Sequence, residues 1–99
     1  MLDLKKCPVC YGPTDSWVVA DQHPTVYAPC APCGGLRSYE YIIVEKILPT
    51  WSEAMRRRVQ ETLRLCPDPL PVRIDGDELQ RIYDHGPESA AALYPKRKS

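Results

Sequence analysis

Two short cysteine loops, Cys7-Pro8-Val9-Cys10 and Cys30-Ala31-Pro32-Cys33, decide the fold of this chain. Residues 11–29 separate them, and two Cys-x-x-Cys pairs at this spacing are typical of a structural zinc site. Two thiolates three residues apart grip one metal when the backbone turns tightly, and two such loops complete a tetrahedron. The sequence therefore predicts one Zn²⁺, with iron as the minor alternative because it accepts the same sulfurs. The predicted ligands are Cys7, Cys10, Cys30 and Cys33.

The residues beside the loops support this interpretation. Gly12, Gly34 and Gly35 permit positive φ and allow backbone N–H groups to approach the sulfurs. A thioredoxin-like redox pair requires a βαβ context that the pattern lacks, and two disulfides require an oxidising compartment. The remaining cysteine, Cys66, is predicted to be a small buried residue at a helix end.

Composition indicates one small domain that depends on a metal. The 99 residues include 11 prolines and no phenylalanine, and short chains often add a metal to a modest core. The formal charge is zero, and four thiolates with one zinc lower it to about −2, which disfavours nonspecific nucleic-acid binding. Residues 1–6 lack the apolar core of a signal peptide, and the longest apolar run, 41–44, is too short for a membrane. We expect a cytoplasmic protein without a membrane segment.

The residues between and after the loops predict three strands. Residues 15–21 and 25–28 read as two strands joined by a turn, and 36–44 read as a third. In this third strand Arg37 and Tyr39 share one face, and its second half also fits a helix. A short strand is further predicted at 72–75.

Two helices follow. Thr50 and Glu53 form a predicted capping box for an amphipathic helix at about 51–65, which Pro67 ends. Its apolar stripe is Trp51, Met55, Val59 and Leu63. Asp75 or Asp77 caps a second helix at about 77–85, which Gly86 ends.

The predicted fold class is small α+β, with a three-stranded zinc ribbon followed by the capped helix and the short second helix. We expect one domain over residues 1–86, with the ribbon at about 5–45. Residues 87–99 are predicted to be a flexible tail, although 88–93 also fit one or two helical turns.

Residues 5–45, with their two cysteine loops and intervening strand pair, resemble the zinc-ribbon superfamily. This resemblance implies the metal, the fold and the four ligands. Its members include transcription factors, ribosomal proteins, polymerase subunits and adaptors, so it leaves the function open. The segments 56–65 and 71–79 further resemble the N-terminal zinc-ribbon part of uncharacterised bacterial proteins, which is consistent with a bacterial or phage origin. Rubredoxins also use two Cys-x-x-Cys-Gly loops, on iron, but Tyr11 here stands where they favour glycine.

Three functions are compatible with these features. A complete Cys₄ shell leaves no open metal position for catalysis, so we expect a regulatory or adaptor protein, not an enzyme, that binds an unidentified protein partner. An exposed aromatic patch is predicted from Trp17, Tyr27, Tyr39 and Tyr41, with Tyr39 and Tyr41 as candidate contacts, unless these side chains pack the core. The alternative is a nucleic-acid-binding protein that uses the Arg56–Arg64 helix through Arg56, Arg57 and Arg64, unless these arginines form a solvated face with Glu53 and Glu61. A rubredoxin-like electron carrier is the third hypothesis.

Overall fold

A four-stranded mixed sheet is the centre of the computed structural model, which describes residues 4–94. Its strands are β1 (Trp17–Val19), β2 (Thr25–Cys30), β3 (Gly35–Glu40) and β4 (Arg73–Ile74), in that spatial order. The first three are antiparallel, as their short connections allow. β4 pairs in parallel with β3, so the strand predicted at 72–75 extends the sheet from three strands to four. The predicted small α+β class is confirmed.

The third strand is shorter than its predicted range of 36–44. β3 ends at Glu40, and the chain continues as a helical turn that includes a π-helical segment, Ile43–Ile47. A 3₁₀ turn, Leu48–Thr50, follows. Ile43, Val44 and Leu48 are buried, and only the helical winding turns all three towards the core.

Helix α1 (Glu53–Arg64) begins two residues later than the capping box predicts. Ser52 is the N-cap, and its hydroxyl accepts a hydrogen bond from the Met55 amide at 3.2 Å. The predicted cap, Thr50, is wrong because its hydroxyl donates to the Ile47 carbonyl and the extended backbone of Trp51 separates it from the helix. Val59 and Leu63 of the predicted stripe are fully buried, together with Thr62.

The C-terminal part also folds against the core. Helix α2 (Gly76–His85) is capped by Asp75, whose carboxylate accepts from the Glu78 amide at 2.8 Å. A 3₁₀ turn, Pro87–Ser89, and a short helix, α3 (Ala90–Leu93), come next. Because Ala90 and Leu93 are buried, the prediction that the domain ends at residue 86 is wrong for residues 87–94. The rest of the predicted tail, residues 95–99, lies outside the described residues.

The sheet has one covered face and one exposed face. Strand register places Val18, Val26, Tyr39 and Ile74 in one row, and these residues belong to the core that α1 and α2 complete. The next row along the strands is Trp17, Tyr27, Ser38 and Arg73, which point to the opposite side. No helix among residues 4–94 is both long and apolar enough to cross a membrane.

Candidate metal centre

The four predicted ligands converge on one point. The Sγ atoms of Cys7 and Cys33 lie 3.6 Å apart, those of Cys10 and Cys30 lie 3.5 Å apart, and all four sulfurs fall within 4.8 Å of one another. A tetrahedral zinc with Zn–S bonds of about 2.3 Å has sulfurs about 3.8 Å apart. The cysteines are free thiols, since a disulfide would bring two sulfurs to about 2 Å. The donor set and its spacing therefore fit one tetrahedral metal ion.

The first cysteine loop (residues 7–12) is closed by its own backbone. The Cys7 amide donates to the Gly12 carbonyl at 2.8 Å, and the Tyr11 amide donates to the Cys7 carbonyl at 2.9 Å. The Gly12 amide lies 3.4 Å from Cys10 Sγ, which confirms the predicted N–H contact to a ligand sulfur. The left-handed residue of this loop is Tyr11, with φ of 59°, so the prediction that Gly12 supplies positive φ is wrong.

The second cysteine loop (residues 30–35) joins β2 to β3. Cys30 ends β2, a 3₁₀ turn at Ala31–Cys33 follows, and Gly34 and Gly35 lead into β3. Both glycines have positive φ, 91° and 123°, as predicted. Sheet pairing thus holds this loop on both sides, whereas an isolated bridge between Lys6 and Pro13 supports the first loop.

The four thiols cannot all ionise without a cation. The pKa of Cys7 falls to about 5, chiefly because the Cys33 thiol donates a hydrogen bond to it. The pKa of Cys30 rises to about 12, chiefly through burial and then through repulsion by the Cys7 thiolate. The pKa of Cys33 is also raised, since its proton is the one donated to Cys7 and the group is buried. A bound divalent cation removes this conflict by stabilising all four thiolates.

The arginines of α1 divide into two groups. Arg56 reaches the first cysteine loop, where its guanidinium lies 4.1 Å from the centre of the Tyr11 ring and donates to the Val9 carbonyl at 3.3 Å. Arg58 donates to the Tyr83 carbonyl of α2 at 2.8 Å. Arg57 and Arg64 are exposed, and Arg57 pairs with Glu53 at 3.2 Å. The predicted basic stretch is therefore not a single surface.

The two candidate aromatic contacts, Tyr39 and Tyr41, lie in different environments. Tyr39 is completely buried and its hydroxyl has no hydrogen-bond partner among the described residues, so it is not a surface contact. Burial in β3's inner row raises its pKa well above the ordinary value. Tyr41 is partly exposed, and hydrogen bonding to Glu45 raises its pKa. Cys66 is buried outside the cluster and contacts the Thr62 carbonyl, as predicted for a small core residue.

Arg37 is the important residue that the sequence analysis did not identify as part of a site. It is fully buried on β3, and its guanidinium donates to the Cys33 carbonyl at 3.2 Å. The available signal was its position next to the second cysteine loop, on the same strand face as Tyr39. A charged residue on the buried face of a sheet needs buried partners, and those of Arg37 are separated from it in sequence.

Comparison with known proteins adds no family assignment. No family model, no curated protein and no solved structure matches this chain. The conclusion that the structure supports is therefore chemical: this is a small α+β protein in which Cys7, Cys10, Cys30 and Cys33 form a cluster able to hold a metal ion.

Proposed function

We propose that this chain is a non-enzymatic zinc-binding module of the zinc-ribbon type that acts as an adaptor in the reducing cytoplasm. Tetrahedral sulfur sites suit zinc, and four thiolates fill every position of a structural site. With no position left for water or substrate, the metal stabilises the fold and does not activate a nucleophile. The function then depends on a surface that the metal-dependent fold presents.

The observation that carries this proposal is an aromatic stack on the exposed face of the sheet. Trp17 is 45% exposed and stacks on Tyr27, with ring centroids 5.4 Å apart and planes 15° from parallel. Val19, 42% exposed, continues the same side of β1. Exposed tryptophan and tyrosine with an aliphatic neighbour are typical of the centre of a protein–protein interface.

The charges around this stack favour a partner with basic residues. On the same side of the sheet, Arg73 pairs with Glu40 at 3.8 Å, so these two charges offset each other. Asp15 and Asp21 are exposed on either side of β1. We therefore propose a protein partner whose apolar side chains meet Trp17 and whose lysines or arginines meet the two aspartates.

A second copy of this chain that pairs edge to edge through β1 is disfavoured. Antiparallel pairing of two β1 strands about Val18 would place Asp15 of one copy opposite Asp21 of the other. Like charges directly opposite each other on adjacent strands are destabilising. The charge pattern thus favours a different, more basic protein.

Nucleic-acid binding, the alternative, has weaker support. Of the four α1 arginines, Arg56 and Arg58 are occupied by backbone carbonyls. The exposed side of the helix alternates Glu53, Arg57, Glu61 and Arg64, which sum to no net charge. A surface that binds phosphates through counterion release needs a clear excess of positive charge.

Differential capture tests the adaptor function. Wild type, Trp17→Ala and Leu65→Ser would be used as baits in nuclease-treated lysate. Leu65 is 57% exposed, so its substitution is a matched loss of an exposed apolar side chain outside the sheet. We expect a protein that is retained by wild type and Leu65→Ser and lost with Trp17→Ala. Equal retention by all three baits would refute the proposed surface, and a salt-sensitive gel shift would favour nucleic acid.

Metal analysis tests the zinc assignment. Protein purified in reducing buffer is expected to be colourless and to contain about one zinc per chain. A visible charge-transfer absorption with about one iron per chain would instead support the rubredoxin-like electron carrier.

A further inference from the structure

We propose that Arg37 couples metal binding to the helical half of the molecule, by joining the second cysteine loop to the C-terminus of α1 and by balancing the negative charge of the metal-loaded cluster. This inference rests on the metal-binding part of the proposed function. It assigns Arg37 a positioning role towards the metal centre, since the residue acts through the loop that carries Cys30 and Cys33.

The hydrogen bonds of Arg37 connect three parts of the fold. Nε donates to the Cys33 carbonyl at 3.2 Å, in the second cysteine loop. Nη2 donates to the Leu63 carbonyl at 2.8 Å and to the Cys66 carbonyl at 3.3 Å, at the end of α1. Nη1 donates to the Pro67 carbonyl at 2.6 Å, in the loop that leaves the helix, and to its neighbour Leu36. The guanidinium thus adds donors to the carbonyls at the helix end, where the Leu63 carbonyl also accepts from the Cys66 amide at 2.9 Å.

The charge of Arg37 is not neutralised by an ion pair. The side chain is 0% exposed, and within residues 4–94 no carboxylate forms a salt bridge with it. The exposed carboxylate of Asp68 accepts the Leu36 amide at 2.9 Å instead. Burying an unpaired cation is costly, and the carbonyl end of a helix supplies only about half a negative charge. Four thiolates with one divalent cation supply a charge of about −2 on the neighbouring loop.

The glycines of the second cysteine loop are required by this contact. A Cβ on Gly34 would lie 2.6 Å from Arg37 Nη2 and 2.8 Å from the Leu63 carbonyl oxygen. A Cβ on Gly35 would overlap the carboxylate of Asp68. The loop therefore approaches the end of α1 as closely as a backbone without side chains allows, and Arg37 bridges the two at that point.

Zinc affinity measured against a chromophoric chelator tests the coupling. The full chain would be compared as wild type, Arg37→Lys, Arg37→Gln and Arg58→Gln. Arg58 is the matched control because it also joins α1 to a backbone carbonyl, that of Tyr83, on the side of α2. Substituting a residue that supports metal ligands typically weakens affinity 10- to 100-fold, so we expect about 100-fold for Arg37→Gln and about 10-fold for Arg37→Lys, which keeps the charge.

The control separates coupling from a general loss of stability. Any destabilising substitution weakens the apparent affinity when metal binding and folding are linked, so each loss is compared with the fall in melting temperature of the zinc-loaded protein. Coupling predicts that both Arg37 variants lose more affinity than Arg58→Gln at the same fall in melting temperature. If both lose only as much as the control, the inference is overturned.

Failure of Arg37→Gln to fold, or failure of wild type to bind zinc, would also be informative. If Arg37→Gln does not fold with zinc, Arg37→Lys decides the question by the same comparison. If wild type binds no zinc in reducing buffer, the metal-binding function fails before any variant is measured, and the role of Arg37 falls with it.

Discussion

The two cysteine loops each supply two thiols to the cluster but are attached to the fold in opposite ways. In the first cysteine loop the second cysteine is followed by Tyr11, a left-handed residue whose ring lies under Arg56 at the surface. The second cysteine loop ends in Gly34 and Gly35 and receives Arg37 in the interior. Helix α1 spans both attachments, with Arg56 near its start and Leu63 near its end. The two loops therefore share a sequence motif but should contribute differently to the free energy of unfolding, because one is attached in the interior and the other at the surface.

Loss of a ligand should have the largest effect, and the same effect in both loops. Cys7→Ser and Cys30→Ser each remove one of four thiolates, and zinc ligation contributes on the order of 10 kcal/mol in small zinc-dependent folds. We expect both variants to lose the metal and the cooperative unfolding transition, measured by metal content and circular dichroism. Cys66→Ala is the control and should keep its zinc. A folded Cys7→Ser variant would mean that the first cysteine loop is dispensable.

Substitutions of the residue that follows the second cysteine of each loop should then affect stability differently in the two loops. Gly34→Ala introduces a Cβ 2.6 Å from Arg37 Nη2 at a backbone φ of 91°. We expect the free energy of unfolding to fall by about 3 kcal/mol or more. Tyr11→Gly relieves a left-handed backbone but removes the ring under Arg56, two effects of about 1 kcal/mol that oppose each other. Denaturant unfolding of the zinc-loaded proteins measures both. Equal losses would show that the two loops are under the same constraint.

Metal binding should release protons from the second cysteine loop. At pH 7 Cys7, with a pKa of about 5, is already a thiolate, whereas the raised pKa values of Cys30 and Cys33 keep them protonated. Zinc must therefore displace at least these two protons, so affinity for zinc should fall by about 100-fold or more for each unit by which pH decreases. Calorimetry in buffers of different ionisation enthalpy counts the protons. Release of fewer than two would contradict this assignment.

The contact between Arg56 and the first cysteine loop should contribute least to the free energy of unfolding. Arg56→Gln removes the cation–π contact with Tyr11 and the hydrogen bond to the Val9 carbonyl, and we expect a loss of about 1 kcal/mol. Arg57→Gln is the control, because its exposed ion pair with Glu53 should contribute little. Thermal unfolding measures both variants. A loss for Arg56→Gln as large as that for Gly34→Ala would remove the contrast between the loops.

The parts of the fold that were predicted correctly depend on short segments. The Cys-x-x-Cys spacing, the Asp75 cap and the stop at Gly86 each involve residues within one or two turns of the chain. The errors arose where distant contacts compete with local preference. Thr50 has the right residue type for a cap, but burial of Leu48 holds the preceding turn in place and leaves Ser52 to cap α1. Residues 87–94 follow a helix stop at Gly86, which suggested a tail, yet Leu93 reaches the core.

The amino-acid sequence alone identified the four cysteines that form the cluster able to hold a metal ion, because each pair of thiols three residues apart is brought together by a local turn. The tertiary structure alone decided that β4 joins β3, that Tyr39 is buried and Trp17 exposed, and that Arg37 meets the end of α1. Each of these three features depends on which side chains are removed from water when segments distant in sequence pack together. Tertiary packing therefore decides whether an arginine remains solvated at the surface or is buried and hydrogen-bonded in the interior.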